Sequence, residues 1–540
     1  MTDESQTTTV TAEPLGGSTD NDGARVLHER TWRWLLLVAL IVSLAWILLP
    51  IPLFDVDEGA FSEATREMVA SGDLVTPRLN GELRFDKPVL IYWCQGLSGL
   101  VFGFNELGMR LPSAIAAVVW VLALVQFGSR WTSERRGMLA GIFLATSLQV
   151  TLISKAAIAD SLLNMFLALS MFAGYQYSRT GEKRQIVLCY VFAAFGFLTK
   201  GPVALLIPLA TAFIVYMLRK DPQGFVRGLL NPLGIGLFVL IAAPWYLLEY
   251  AAQGNAFIEG FFMNHNVARF STPFEGHGGS LFYYMPVVLI GVLPFTGILL
   301  ASLRHVRAWF RNDLERFCVI WFLFVLVFFS LSGTKLHHYV IYGYTPLFLL
   351  MAGAVDRLKS PAWAFVPAAA ALIFFLFVPE LAAVAEPHVE DEFAQIVVGH
   401  APEAFGWAYR WVVLLCLGIL VGVMVQPQFS VAFKTALAGI VTVVVVNGVV
   451  VPTVAHLAQG PVKQAGLILR DKTGPVTMWR TDNPSLLFYA RRTVARDAPA
   501  PGDVVFTPVT ELSELELEFD VTIEYQQYGY VLGRVEEPTE

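Results

Sequence analysis

The sequence predicts an all-α polytopic membrane protein of about 13 transmembrane helices, followed by a small extracytoplasmic α/β domain at the C-terminal end. Three observations lead there. Of 540 residues, 55% are hydrophobic and only 15% charged, against about a quarter charged in soluble domains, and the mean hydropathy is +0.58. Apolar runs of spanning length recur through most of the chain and stop near residue 456. After that point, short alternating segments with Glu-rich turns take over. An aromatic content of 13% argues against general disorder. The net charge of −7 argues against a nucleic-acid partner. Cys94, Cys189, Cys318 and Cys416 are scattered, with neither a CxxC pair nor Cys/His metal spacing, so a disulfide framework is not expected.

Taken in order, residues 1–30 are rich in Thr, Asp and Gly and predict a disordered cytoplasmic tail. The first span runs from Trp34 to Phe54, without a small-residue cleavage site, as an uncleaved anchor. Further spans fall at 110–128, 138–153, 161–178, 186–199, 202–218, 232–250, 281–303, 316–332, 339–355, 362–379, 410–426 and 431–455. These make up a transmembrane domain over 31–456 with an outer loop at 55–109. Residues 457–540 form the soluble domain, with strands expected at Pro475–Trp479 and Val521–Tyr525.

The apolar stretch from Val89 to Phe104 decides the topology. Basic residues collect in Arg130–Arg136, Arg179–Arg184, Arg219–Arg227, Arg304–Arg316 and Arg357–Lys359. All five loops fall in the cytoplasm, as the positive-inside rule requires, if the N-terminus is cytoplasmic and Val89–Phe104 does not cross. That stretch then lies at the outer interface or re-enters. Asp57, Lys87, Asp160, Lys200, His265 and Lys335 all emerge on the outer side, although the arginine count that set the topology did not use them.

Each of these residues has a plain reading as well. Asp57 and Glu58 open an amphipathic helix and complement its N-terminus. Lys87, in Arg84-Phe85-Asp86-Lys87-Pro88, is placed to snorkel at the interface or to hold a lipid phosphate. Lys200 closes a tight hairpin, and a lone His265 suits a hydrogen bond better than a metal. His337-His338 lacks a third ligand nearby in sequence. Asp160, at the end of a span, is harder to dismiss, because an acid at that depth is costly. Together, two acids and several cations at one membrane surface suit a reaction that ionises a hydroxyl and stabilises a phosphate leaving group.

The first-loop pattern is Asp57-Glu58, Ser62-Glu63, Arg66-Glu67-Met68, Ser71-Gly72-Asp73 and Asp86-Lys87-Pro88. It resembles the outer loop of the ArnT-like aminoarabinose transferases, relatives of the protein O-mannosyltransferases with the GT-C membrane fold. Arg110-Leu111-Pro112-Ser113, Leu198-Thr199-Lys200-Gly201, Pro244-Trp245, His265 to Phe270, Leu293-Pro294-Phe295 and Lys335-Leu336 follow in family order. The resemblance covers roughly residues 50–350; beyond them only the layout agrees.

It implies an inverting transfer of one sugar from a polyprenyl-phosphate donor to a lipid, glycan or protein acceptor at the outer face of the cytoplasmic membrane, with lipid A as one such acceptor. The carrier keeps its phosphate, so no nucleotide cofactor is implied. Asp57 and Asp160 match the catalytic acids, and Lys87, Lys200 and Lys335 the lipid-phosphate side. Asp86 and His265 fall where relatives bind a divalent metal ion, with Asp86 one methylene shorter than the more familiar Glu. The rival reading is a transporter or flippase for lipid-linked sugars, whose inverted repeats and midplane charges the sequence lacks.

The topology makes a direct prediction. In a background without the native cysteines, a membrane-impermeant maleimide added to intact cells should label a cysteine placed at residue 480 and not one placed at residue 182. Labelling of both from the same side would overturn the arrangement.

Overall fold

The computed structural model describes residues 19–271, 278–355, 357–358 and 360–537, with side chains from Arg30 onward. The expected tail lies outside the described residues over 1–18, and from Thr19 the chain is already helical, through Leu44. Acids at Asp20 and Asp22 favour a helix start there. The apolar part, Arg30–Leu48, is one of seven helices long and apolar enough to cross a bilayer, and two bent pairs bring the number to nine among the described residues. The first span ends at Leu48 rather than Phe54 because Pro50 and Pro52 cannot continue a helix.

Four shorter or more polar runs complete the bundle: Glu134–Thr146 with Leu148–Ile153, Asp160–Thr180, Lys183–Lys200 and Val203–Leu218. All thirteen sequence-predicted runs are therefore helical, and the chain is a multi-pass membrane protein. Two are not straight. Tyr284–Gly291 and Thr296–Leu303 meet at 119° around Leu293-Pro294, and Ala362–Leu376 bends by 59° into the helical run Val378–His388, near Pro379.

Leu90–Phe102 does not span. Its 13 residues rise about 20 Å, short of a bilayer core of about 30 Å. One face buries Ile91, Tyr92 and Gln95, while Leu97, Leu100, Val101 and Phe102 stay exposed. The four basic loops at 130–136, 179–184, 219–227 and 304–316 gather on one face of the bundle. There Asp313 binds Arg179, Arg219 and Arg316, and Arg136 pairs with Glu315. The helix that starts at Asp160 ends beside this cluster. Its 21 residues rise about 30 Å, so Asp160 lies at the opposite face.

That opposite face is organised by one buried fork. Glu58, in the first turn of the Asp57–Ser71 helix, receives Arg110 Nε and Nη2 at 2.8 and 2.6 Å. The backbone N–H groups of Ala157 and Phe54 also donate to it, at 2.7 and 2.9 Å. Arg110 in turn donates to the carbonyls of Ile51 and Pro52 and lies over the Trp46 ring. Both side chains are almost wholly buried, a state tolerated because the two charges face each other and four of the five guanidinium N–H groups have acceptors.

The C-terminal sheet has the order β3-β4-β6-β5, numbered after the short hairpin β1 (Arg78–Leu79) and β2 (Glu82–Leu83). β3 (Val476–Met478) runs parallel to β4 (Val504–Pro508), which pairs antiparallel with β6 (Tyr530–Glu536). β5 (Asp520–Gln527) forms a bulged hairpin with β6. β4 is buried throughout because both its faces are covered. Val504 and Phe506 pack against the helices Gly460–Arg470 and Pro484–Ala490, while Val505 meets Leu515 and Val535.

This unit is fixed to the first loop. Asp55 accepts from Ser485 N and Oγ at 2.8 and 2.6 Å, capping the Pro484–Ala490 helix from another part of the chain. Gly59 is required there, since a Cβ would stand 2.4 Å from Ser485 N. Asn80 exchanges two hydrogen bonds with the Val494 backbone, and Leu79 packs onto the domain core.

Arg110→Met, which strands the Glu58 carboxylate, should cost ~3–5 kcal/mol, read as a lower thermal unfolding temperature in detergent. Adding Glu58→Gln should recover part of that loss. A single variant as stable as the parent would show that the fork does not hold this face together.

Candidate functional site

A polar cavity of about 520 Å³ opens between the first loop, the membrane bundle and the C-terminal domain. Asp57, Asp86, Lys87, Asp160, Lys200 and Lys335 all line it. A second, largely apolar cavity of about 580 Å³ runs beside it among Leu206, Phe262, Phe270 and Phe328. The two share Asp86, Lys87, Lys200, Arg269 and Tyr339. The shared wall is therefore cationic, with an apolar groove on one side and a polar chamber on the other.

The acids of the first-loop pattern separate by partner. Glu58 holds Arg110, Glu63 forms a 2.7 Å fork with Arg66, and Glu67 accepts the backbone N–H groups of Asn80 and Gly81 to close the β1–β2 turn. Asp73 accepts from Val75 and Thr76, in a loop fastened to the Pro232–Gln253 helix by Trp245, which donates to the Val75 carbonyl. Asp57 is exposed and makes no hydrogen bond or ion pair with a described residue. Helical geometry explains the difference, since adjacent positions diverge by about 100°: Glu58 turns into the bundle and Asp57 faces the chamber.

Asp160 begins its helix with a fully engaged oxygen. Its Oδ1 accepts from Lys200 Nζ and from the Tyr342 hydroxyl, both at 2.7 Å, and Lys200 also donates to Tyr342 at 2.7 Å. His338 Nε2 lies 3.9 Å away. Lys200 keeps one N–H of its three for the chamber.

Asp86 pairs with Arg84 at 2.8 Å and with His265 Nε2 at 2.8 Å. Burial pushes its carboxyl up, but the His265 hydrogen bond and the charges of Arg84 and Lys87 outweigh that and hold it well below the usual carboxylate range. The structure thus brings together the two residues expected to bind a divalent metal ion. Among the described residues, however, no three His, Cys, Asp or Glu side chains cluster to hold one. Asp86 and His265 supply each other and Arg84 rather than a coordination shell.

Lys87 donates only to the Asp86 backbone carbonyl, and Lys335 only to the Ser332 carbonyl, among the described residues. Neither has a carboxylate partner. Burial pushes the Lys87 ammonium down to about 8, against the pull of Asp86. Two lysines without a carboxylate ion pair therefore line the same chamber as Asp57, a carboxylate without an ion pair of its own.

Several lining residues were not singled out from sequence. Arg84 and Arg269 stand inside motifs already noted, one residue or a few from the expected ones. Tyr339 and Tyr342 follow Lys335 in the turn and carry no motif of their own. Asp482 and Arg496 reach the chamber from the C-terminal domain, and no sequence signal connects them to it.

A family model described as dolichyl-phosphate-mannose-protein mannosyltransferase matches residues 86–247. The undecaprenyl phosphate-alpha-4-amino-4-deoxy-L-arabinose arabinosyl transferase of Aeromonas salmonicida is 32% identical over 331 residues, 59% of this chain and 59% of that protein. An uncharacterized protein of Aquifex aeolicus is 30% identical over 62% of this chain and 74% of its own length. The match thus spans 59% of the Aeromonas relative. The crystal structure of ArnT from Cupriavidus metallidurans bound to undecaprenyl phosphate superposes with a TM-score of 0.74 at 22% identity, covering 95% of this chain and 98% of that one. That likeness establishes the fold.

Proposed function

The chain belongs to the ArnT-like family of GT-C membrane glycosyltransferases, relatives of the protein mannosyltransferases, and from that premise we propose that it moves one sugar from a polyprenyl-phosphate carrier to an envelope acceptor. One observation carries the reading: Asp57, without an ion pair, lines one chamber with Lys87 and Lys335, and that chamber shares its cationic wall with an apolar groove. The groove suits a polyprenyl chain, and its cationic end suits the phosphate. The names of the relatives support an aminoarabinose-type transfer from an undecaprenyl-phosphate donor, and lipid A is the acceptor this reading takes. The positive-inside count puts the chamber and the C-terminal domain on the extracytoplasmic side of the inner membrane.

In this reading the bond between the anomeric carbon and the carrier phosphate oxygen breaks, and a new bond forms from that carbon to an acceptor oxygen on the opposite face, with inversion. The electron pair leaves on the carrier phosphate, which gains a negative charge. Lys87 and Lys335 stabilise that charge, and Lys200 adds its remaining N–H. Asp57 takes the proton of a hydroxyl acceptor. For an acceptor that is already a phosphate, Asp57 acts by position and charge alone.

Asp160, expected from sequence as a second catalytic acid, is better assigned to holding Lys200, since its Oδ1 already accepts two hydrogen bonds. No step needs a nucleotide, because the carrier retains its phosphate, and no step is routed through a metal.

Lys87 sets a pH dependence. Its ammonium is lost as pH rises through about 8, so undecaprenyl phosphate binding to the purified protein should weaken above that pH. Lys87→Arg, charged past pH about 12, should carry binding to higher pH, and Lys87→Ala should weaken it throughout. Identical profiles for all three proteins would remove Lys87 from the phosphate site.

Asp57→Asn keeps the shape and removes the charge. With undecaprenyl-phosphate aminoarabinose and lipid A as substrates, transfer should fall by ~10²-fold or more, the scale of a positioned acid or base, while undecaprenyl phosphate binding survives. Undiminished transfer would exclude Asp57, and carrier movement across the membrane without transfer would favour the flippase.

A further inference from the structure

We propose that Arg496, held by Asp482, is an acceptor-binding residue, so that the C-terminal domain supplies part of the recognition site and reads an oxyanion on the acceptor. The inference rests on the transferase reading and extends it to a part of the chain that reading does not use. Arg496 and Asp482 form a 2.8 Å ion pair on the roof of the polar chamber. Neither lines the apolar groove. Donor lipid entering from the groove meets the shared cations first, and the roof is left to whatever arrives from the polar side.

The pair is poorly placed to be structural. Its side chains are 43% and 56% exposed, and an ion pair that open to solvent contributes little to stability. Yet its position is tightly set. Asp482 lies three residues before Ser485, which is bound to Asp55, and Arg496 lies two residues after Val494, which is bound to Asn80. The pair thus brackets the two docking points of the domain in sequence, and both of its members line the same chamber as Asp57. Asp482 engages one Nη of Arg496, so the guanidinium keeps further N–H donors for a planar oxyanion.

Charge balance indicates the ligand class. Six Lys and Arg side chains line the chamber against four carboxylates. A donor phosphodiester contributes one negative charge, so one positive charge remains for the acceptor. Lys87, Lys200 and Arg269 belong to the groove wall as well, and Lys335 stands on the donor side of the reading above. Arg496 is the chamber cation that comes from the C-terminal domain, and an oxyanion on the acceptor, a phosphate or a carboxylate, is its fitting partner.

The test uses the full-length protein in lipid nanodiscs and two probes, undecaprenyl phosphate for the donor side and lipid A, intact or dephosphorylated, for the acceptor side. Arg496→Ala should weaken binding of intact lipid A by about tenfold or more, the scale of a charge-assisted hydrogen bond. Undecaprenyl phosphate binding and the thermal unfolding temperature should not change. Arg496→Lys should restore part of the binding, and dephosphorylated lipid A should bind parent and variant alike.

Equal lipid A binding by Arg496→Ala and the parent would overturn the proposal. So would a parent that binds the intact and dephosphorylated forms equally. A parent that fails to bind undecaprenyl phosphate would instead count against the transferase reading, and the lipid A comparison would still judge Arg496 by itself.

Discussion

The Glu58–Arg110 fork is the constraint on which the site depends. It joins the first-loop helix to the Glu106–Trp131 span and, through Ala157, to the turn just before Asp160. A loop that carries catalytic side chains above a membrane has few apolar contacts with which to fix itself. A buried charge pair with both carboxylate oxygens and four of the five guanidinium N–H groups engaged gives it a single seat, because a displaced arrangement leaves a charge unmatched. Asp57 is adjacent in sequence to the fixed residue, so anchoring Glu58 also sets the position of Asp57. The neighbouring acids Glu63, Glu67 and Asp73 fasten the rest of the loop in the same way, by fork, turn cap and Asx-type bonds.

The electrostatics of the site follow from this division of labour. The carboxylates with partners hold the structure, and the groups left over are those to which the proposed reaction assigns the chemistry. Asp160 neutralises Lys200 and orients it without removing its last donor, and Asp86 pairs with Arg84 and holds His265 Nε2 by a hydrogen bond. Lys87 and Lys335 are held only by backbone carbonyls, which position an ammonium without cancelling its charge. An anion entering the chamber therefore meets two cations whose charge is already desolvated, where its interaction is stronger than in water.

The bundle could be read from the sequence because burial in lipid leaves a one-dimensional record: long apolar runs, with arginines on one side. That record also identified Leu90–Phe102 as non-spanning, since the basic loops agree only if it does not cross. It does not encode breaks. The 119° bend at Leu293-Pro294 sits in an apolar run as uniform as the straight ones, and Pro50 and Pro52 moved the end of the first span by several residues.

At the site, Asp57, Lys87, Asp160, Lys200 and Lys335 were all found together at one chamber. The distinction between Asp57 and Asp160 was not legible, because it lies in who donates to each oxygen. Tyr342, which lines the groove and donates to Asp160, and Arg496, which lines the chamber, were also missed, for the same reason: each reaches the site through contacts between segments far apart in the chain.

The position of the C-terminal domain gives that distance a purpose. A transfer between two lipid-borne substrates at a bilayer surface must keep the donor's reactive phosphate in an aqueous-like pocket while its tail stays in the membrane. The apolar groove and the polar chamber meet this need by sharing one cationic wall. The chamber still requires a roof, or water would reach the anomeric carbon as readily as the acceptor does. The membrane helices cannot provide one, because their ends stop at the interface. A domain docked through Asp55–Ser485 and Asn80–Val494 onto the same loop that carries Asp57 closes the chamber in register with that residue. The Cβ-free surface of Gly59 lets it approach that closely. Acid and roof are thus fixed to one another through a single loop, and the distance between them does not depend on movements of the bundle below.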